Sequence, residues 1–87
     1  MILKMYCIRD RATDSFGNPM FLMATGQAIR SFTDEINRAA ADNSLYAHPD
    51  DYDLYFLGEY DTATGTFTPQ APVMVLVGKS EQHAQFE

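Results

Sequence analysis

Five carboxylates, Asp50, Asp51, Asp53, Glu59 and Asp61, crowd into the stretch HPDDYDLYFLGEYDTATGTF beside His48. Groups of these types bind hard cations, exchange protons with a substrate, or present charge to a partner. A calcium loop of the twelve-residue kind needs a glycine at its sixth place and a closing bidentate glutamate, and this stretch has neither. Zinc wants paired Cys and His ligands, whereas the chain has Cys7 and two distant histidines, His48 and His83. General acid–base work needs a pocket that pushes two carboxyl pKa values apart, which adjacent aspartates on a hairpin do not provide. Cys7 lies in an apolar run with no adjacent base to activate it and reads as a small buried hydrophobe. The five glycines are scattered singly, so no loop is built to cradle phosphate. The expectation is a protein without metal, cofactor or enzymatic activity. The stretch is explained structurally by a short helical turn led by Pro49 and capped by His48 or Asp50, with Asp53 at the mouth of a strand.

The charges are unevenly placed. Residues 1–38 carry Lys4, Arg9, Arg11, Arg30 and Arg38 against Asp10, Asp14, Asp34 and Glu35. Residues 39–78 contain no Lys or Arg at all, and their six acids match the net charge of −6 for the whole chain. Such a balance argues against generic coating of nucleic acid, which needs a basic surface to displace counterions. Nucleic-acid contacts are confined to the first part of the chain, with Lys4, Arg9, Arg11 and Arg30 as the candidates. Asp50, Asp51, Asp53 and Asp61 are the candidate acidic face for a protein partner.

Eighty-seven residues make one domain with one modest core. No apolar run approaches a membrane span, and the N-terminal stretch meets charge too soon for a signal peptide. A lone cysteine forms no internal disulfide, so a reducing cytoplasm is the expected compartment.

Positioning of these groups falls to few elements. Residues 2–8, ILKMYCI, read as a strand with Ile2, Tyr6 and Ile8 opposing Leu3, Met5 and Cys7. A loop follows, bent at Gly17-Asn18-Pro19. A helix is expected from about Thr25 or Gln27 to about Ala40, with Ile29, Phe32, Ile36 and Ala40 as its apolar stripe. On its opposite face Arg30, Asp34 and Arg38 stand four apart, spaced for an ion-pair ladder. Residues 53–60 form a second strand, and Asp61 to Gly65 a hairpin turn. A return strand over 66–68 is stopped by Pro69, and 73–79 is the last strand. Residues 1–79 make the domain, and 80–87 a polar tail expected to fray. The expected class is α+β in the order β-α-β-β-β: a largely antiparallel four-stranded sheet with one long helix on one face. Several strands are apolar on both sides, and one helix covers only one side. The other requires the FGNPMFLM loop, a second copy in a homodimer, or a partner.

FGNPM in the first loop, AIRSFTDEIN on the helix and HPDDYDLYFLGEYDTATGTF together resemble the small nonstructural protein of gokushovirus-type microviruses, the small single-stranded DNA phages. The resemblance runs from about Tyr6 to about Val77. Its most specific part is His48-Pro49-Asp50-Asp51-Tyr52 with Leu54-Tyr55, Gly58, Asp61 and Thr64-Gly65; Arg9-Asp10 after the first strand departs mildly from the family pattern. It implies a protein of the host-cell cytoplasm, absent from the virion. Its role would lie in viral single-stranded DNA synthesis and packaging, analogous to microvirus protein C. No catalytic motif carries over.

Three modes of action follow. The leading one is an accessory factor that contacts the viral replication initiator or host replication proteins, with or without DNA. The second is direct single-stranded DNA binding by a dimer, with Tyr6, Tyr55, Tyr60 and Phe67 as stacking platforms. The third is an acidic module that mimics a nucleic-acid backbone and occupies a DNA-binding protein.

Overall fold

Nine residues, apolar on both faces through most of their length, Ile2–Asp10, form β1, the spine of the sheet in this computed structural model, which describes residues 1–79. Ser15–Phe16 (β2) and Met20–Leu22 (β3) both pair antiparallel with one side of β1. Helix α1 spans Thr25–Asn37 and a single turn, α2, spans Ser44–Ala47. A 3₁₀ turn over Pro49–Asp51 leads into β4, Tyr52–Asp61, which pairs along the other side of β1. The hairpin then returns as β5, Thr66–Val77, at the far edge. The expected tail over 80–87 lies outside the described residues.

The α+β expectation is overturned. The chain is mostly β, with 46% strand in a curled, antiparallel half-barrel of five strands, and α1 is the only described helix of seven residues or more. Two local errors produced the wrong class. The loop after β1 contributes two short edge strands. Pro69 does not stop the return strand, so 66–68 and the last strand are one continuous β5. A proline removes a ladder donor, but on an edge strand that donor can face outward. The sheet also slips register here: two steps from Phe56 to Gly58 face four steps from Val73 to Pro69. Further bulges at Met5/Tyr6 and Leu54/Tyr55 add to the curl, because each bulge bends its strand and increases local twist.

Helix α1 lies over the face of β1 that carries Tyr6 and Ile8. Its buried stripe is Ala28, Phe32 and Ile36, four apart, packed with Tyr6 and Leu54. The expected stripe was right at Phe32 and Ile36 and wrong at Ile29, which is exposed. Each large apolar side chain so buried contributes about 1.5–3 kcal/mol. The Tyr6 hydroxyl keeps a partner in Thr25 Oγ1 at 2.6 Å, which pins the helix start to the sheet. The Gln27 carboxamide accepts from the Met23 and Ala24 amides and caps that start.

At its other end α1 stops three residues short of Ala40, because Arg38 turns extended. Asn43 holds this corner. Its buried amide donates to the carbonyls of Glu35 and Arg38, each at 2.8 Å, while its oxygen accepts from Leu45 and Tyr46 and starts α2. The Arg30–Asp34–Arg38 ladder does not form. Arg38 turns to Glu35 instead, with contacts of 2.6–3.1 Å, and this pair holds the Glu35 carboxyl below its ordinary value.

Candidate functional site

The face of the sheet opposite α1 carries Leu3, Met5, Cys7 and Arg9 from β1, since alternate residues point to opposite sides. Ladder pairing sets Leu3 beside Tyr60, Met5 beside Phe21, Cys7 beside Tyr55 and Arg9 beside Phe16. The aromatic rings therefore gather in two groups. Phe16 meets Tyr55 edge-on at 5.3 Å. Phe21, Tyr60 and Phe67 form a triangle with centroids 4.7–6.4 Å apart. Beneath them Met5 and Cys7 are buried, and burial pushes the Cys7 thiol above its ordinary value, keeping it protonated. The rings themselves are not covered: Phe16 is 49% exposed, Phe21 42% and Phe67 54%, with Met74 of β5 at 47%. The FGNPMFLM segment thus supplies part of a cover through Phe16 and Phe21 and leaves an apolar surface behind.

Beside this surface Arg9, near the end of β1, and Arg11, just after it, are both engaged internally. Arg9 donates to Asp14, which raises the guanidinium pKa further, and stands 5.7 Å over the Phe16 ring. Asp14 reaches it from a left-handed backbone with φ of 54° that aspartate tolerates. Arg11 sets its Nε 3.1 Å from Oδ2 of Asp53, and its Nη2 donates to the Asp50 carbonyl. The Arg11 amide also donates to the Asp51 carbonyl at 2.7 Å. Asp53 has no solvent exposure, and neither carboxylate oxygen makes a well-aligned hydrogen bond. Its charge is balanced by the Arg11 ion pair, which ties the Pro49–Asp51 turn to the end of β1.

The other candidate cations lie elsewhere. Lys4 lines a cleft of about 220 Å³ on the helix side, with Tyr6, Thr25, Phe56, Val73 and Val75. Arg30 projects from the exposed surface of α1 beside Gly26, Gln27 and Asp34. The four cations form no continuous stripe. The acids separate in the same way. Asp53 is internal, whereas Asp50 and Asp51 sit on the 3₁₀ turn. Asp61 is at the opposite end of β4, about 26 Å away from Asp53 by the rise of a strand. There its oxygen accepts from Ala63 and lies 3.9 Å from the Met1 amino group. Among the described residues no three His, Cys, Asp or Glu side chains converge as metal ligands, and no helix is long and apolar enough to cross a membrane.

Of the four expected stacking platforms, Tyr55, Tyr60 and Phe67 share the aromatic face, while Tyr6 is buried in the core. Phe16 and Phe21 were missed as surface rings. Their signal was the FGNPMFLM segment itself, but only ladder pairing shows which side they take.

A family model described as Phage ORF5 protein matches residues 3–81. Protein ORF5 of Chlamydia phage 1 is 30% identical over 80 residues, which span 87% of this chain and 82% of that protein. No solved structure gives a significant match.

Proposed function

Because this chain belongs to the phage ORF5 protein family, of the microvirus type, we propose that it is a non-enzymatic, nonstructural accessory protein in viral single-stranded DNA synthesis and packaging. It works in the host-cell cytoplasm, outside the virion, by contact with the replication initiator or host replication proteins. The observation that carries this reading is the half-exposed aromatic face of Phe16, Phe21, Phe67 and Met74. Aromatic rings, methionine and arginine are the residues enriched in the cores of protein interfaces, and they supply most hot-spot energy. The arginines beside the face are neutralised by Asp14 and Asp53, which favours a protein partner over a phosphate backbone. Capture of the tagged protein from infected cells tests the reading. Recovery of the initiator or a host replication protein is expected, and recovery of neither, nor of viral DNA, contradicts it.

One observation favours direct single-stranded DNA binding as a second reading: the ring clusters with Arg9 above Phe16 resemble a stacking platform. Stacking contributes about 1–3 kcal/mol per base. This reading requires an oligonucleotide gel shift that weakens with salt and with R9E or F67A, and an absent or salt-independent shift rejects it. The acidic-mimic reading has less support, because Asp53 is buried and Asp61 lies far from Asp50 and Asp51.

A further inference from the structure

Between the start of α1 and the sheet lies the cleft of about 220 Å³ that Lys4 lines with Tyr6, Thr25, Phe56, Val73 and Val75. Its walls are mostly apolar. The Tyr6 and Phe56 rings lean together with centroids 5.3 Å apart, and Val73 and Val75 of β5 add two β-branched side chains. An apolar cavity of about 150 Å³ admits a benzene ring, whereas drug-sized ligands occupy about 300–1,000 Å³. The cleft therefore suits one ring or one branched alkyl group and is too small for a nucleotide.

Lys4 gives the cleft its charge. It stands directly opposite Glu59 across the β1–β4 ladder, where the two side chains share a face. Yet no ion pair joins Lys4 to Glu59 or to any other described residue. Its half-buried side chain lines the cleft instead. A cation whose stem lies along an apolar wall attracts an anion more strongly as the anion displaces water. The Tyr6 and Thr25 hydroxyls bond to each other at 2.6 Å, and whichever donates, one hydroxyl proton of the pair remains for an acceptor. Lys4 and Tyr6 are paired on both sides, to Leu22 and Met20 and to Glu59 and Phe56, so their backbone groups are taken up in ladders. Recognition there falls to side chains, which favours a small molecule over an extended peptide.

We propose that this cleft binds a small apolar monocarboxylate, its hydrocarbon body against Tyr6, Phe56, Val73 and Val75 and its carboxylate at Lys4. The site lies on the opposite side of the sheet from the aromatic face and stands independently of the partner assigned there. Titration of the full, isotopically labelled chain with 3-phenylpropionate, followed by NMR, tests it. Saturable shifts are expected at the cleft residues, with a dissociation constant of about 1 mM, ordinary for a ligand of this size. 3-Phenylpropanol, which lacks the carboxylate, should bind the wild type about fivefold more weakly, a comparison that needs no variant. K4M keeps an apolar stem in the strand and should bind acid and alcohol equally, with unchanged circular dichroism. No saturable shift at the cleft, or shifts centred on Phe16, Phe21 and Phe67, overturns the proposal. Equal binding of acid and alcohol by the wild type, or a folded K4M protein that still prefers the acid, overturns it equally. Binding of a peptide ending in phenylalanine without binding of the free acid also overturns it and leaves the cleft to a chain end.

Discussion

Arg11→Met is expected to destabilise the protein by about 3 kcal/mol, because it leaves the Asp53 carboxylate buried without its counter-charge. Asp53 is fully enclosed and no well-aligned hydrogen bond reaches either of its oxygens, so the close compensation comes from the Arg11 guanidinium, with Arg9 on the paired strand adding a weaker, longer-range attraction. The Arg11 side chain is 39% exposed, which screens the pair and places the loss at the low end of the range for broken buried pairs. The change also removes the Arg11 contact to the Asp50 carbonyl and loosens the 3₁₀ turn. Urea unfolding should show a lower midpoint with an unchanged slope. Replacing both partners, R11M/D53L, should recover most of the loss, since an apolar pair leaves no orphaned charge. A single variant within about 0.5 kcal/mol of wild type, the scatter of ordinary surface substitutions, contradicts this account of the turn.

Gly58→Ala should cost at least as much. Gly58 has φ of +131°, and a Cβ there would lie 2.3 Å from the Thr68 carbonyl oxygen and 2.9 Å from the Pro69 Cα. Both obstacles are backbone of the paired strand, so relief requires β5 to move away from β4. Backbone strain of this kind costs about 1–3 kcal/mol before the clash is counted. The expected result is a stability lowered by more than about 3 kcal/mol, read as a lower unfolding midpoint, with exchange protection lost first at Gly58–Asp61 and Thr66–Thr68. A variant as stable as wild type would show that the hairpin does not carry this bulge.

The bulge also explains why the class was misread. Strand alternation in β1 and over Leu54–Phe56 of β4, the Asp61-to-Gly65 turn and the burial of Phe32 and Ile36 were legible, because each depends on neighbours within a few residues; past the bulge Tyr60, expected on the side of Leu54 and Phe56, takes the face of Tyr55 instead. Asp61 accepts from Ala63 and Gly65 takes φ of 69°, as that turn requires. Whether Pro69 ends a strand depends instead on which strand is at the edge, which is a property of the assembled sheet. The same limit applied to the candidate site. Arg11 and Asp53 stand far apart in sequence, and their pairing removes one residue from each list of candidate contacts. Phe16 and Phe21 became surface residues only when β2 and β3 took their places beside β1. The missing Lys and Arg over 39–78 leave β5 without the lysines that usually guard an edge, while Asp53 borrows its cation from the segment after β1.

The central claim is that the aromatic face is where this protein meets its partner, and paired capture from infected cells tests it most directly. Tagged wild type and F21A/F67A should be compared at equal expression, with circular dichroism confirming that both fold. The truncated rings are half-exposed, so the fold should survive their loss, whereas loss of two hot-spot residues at about 2 kcal/mol each removes most binding. Wild type should recover the replication initiator or a host replication protein, and the variant at least tenfold less. Equal recovery by the two proteins would contradict the claim.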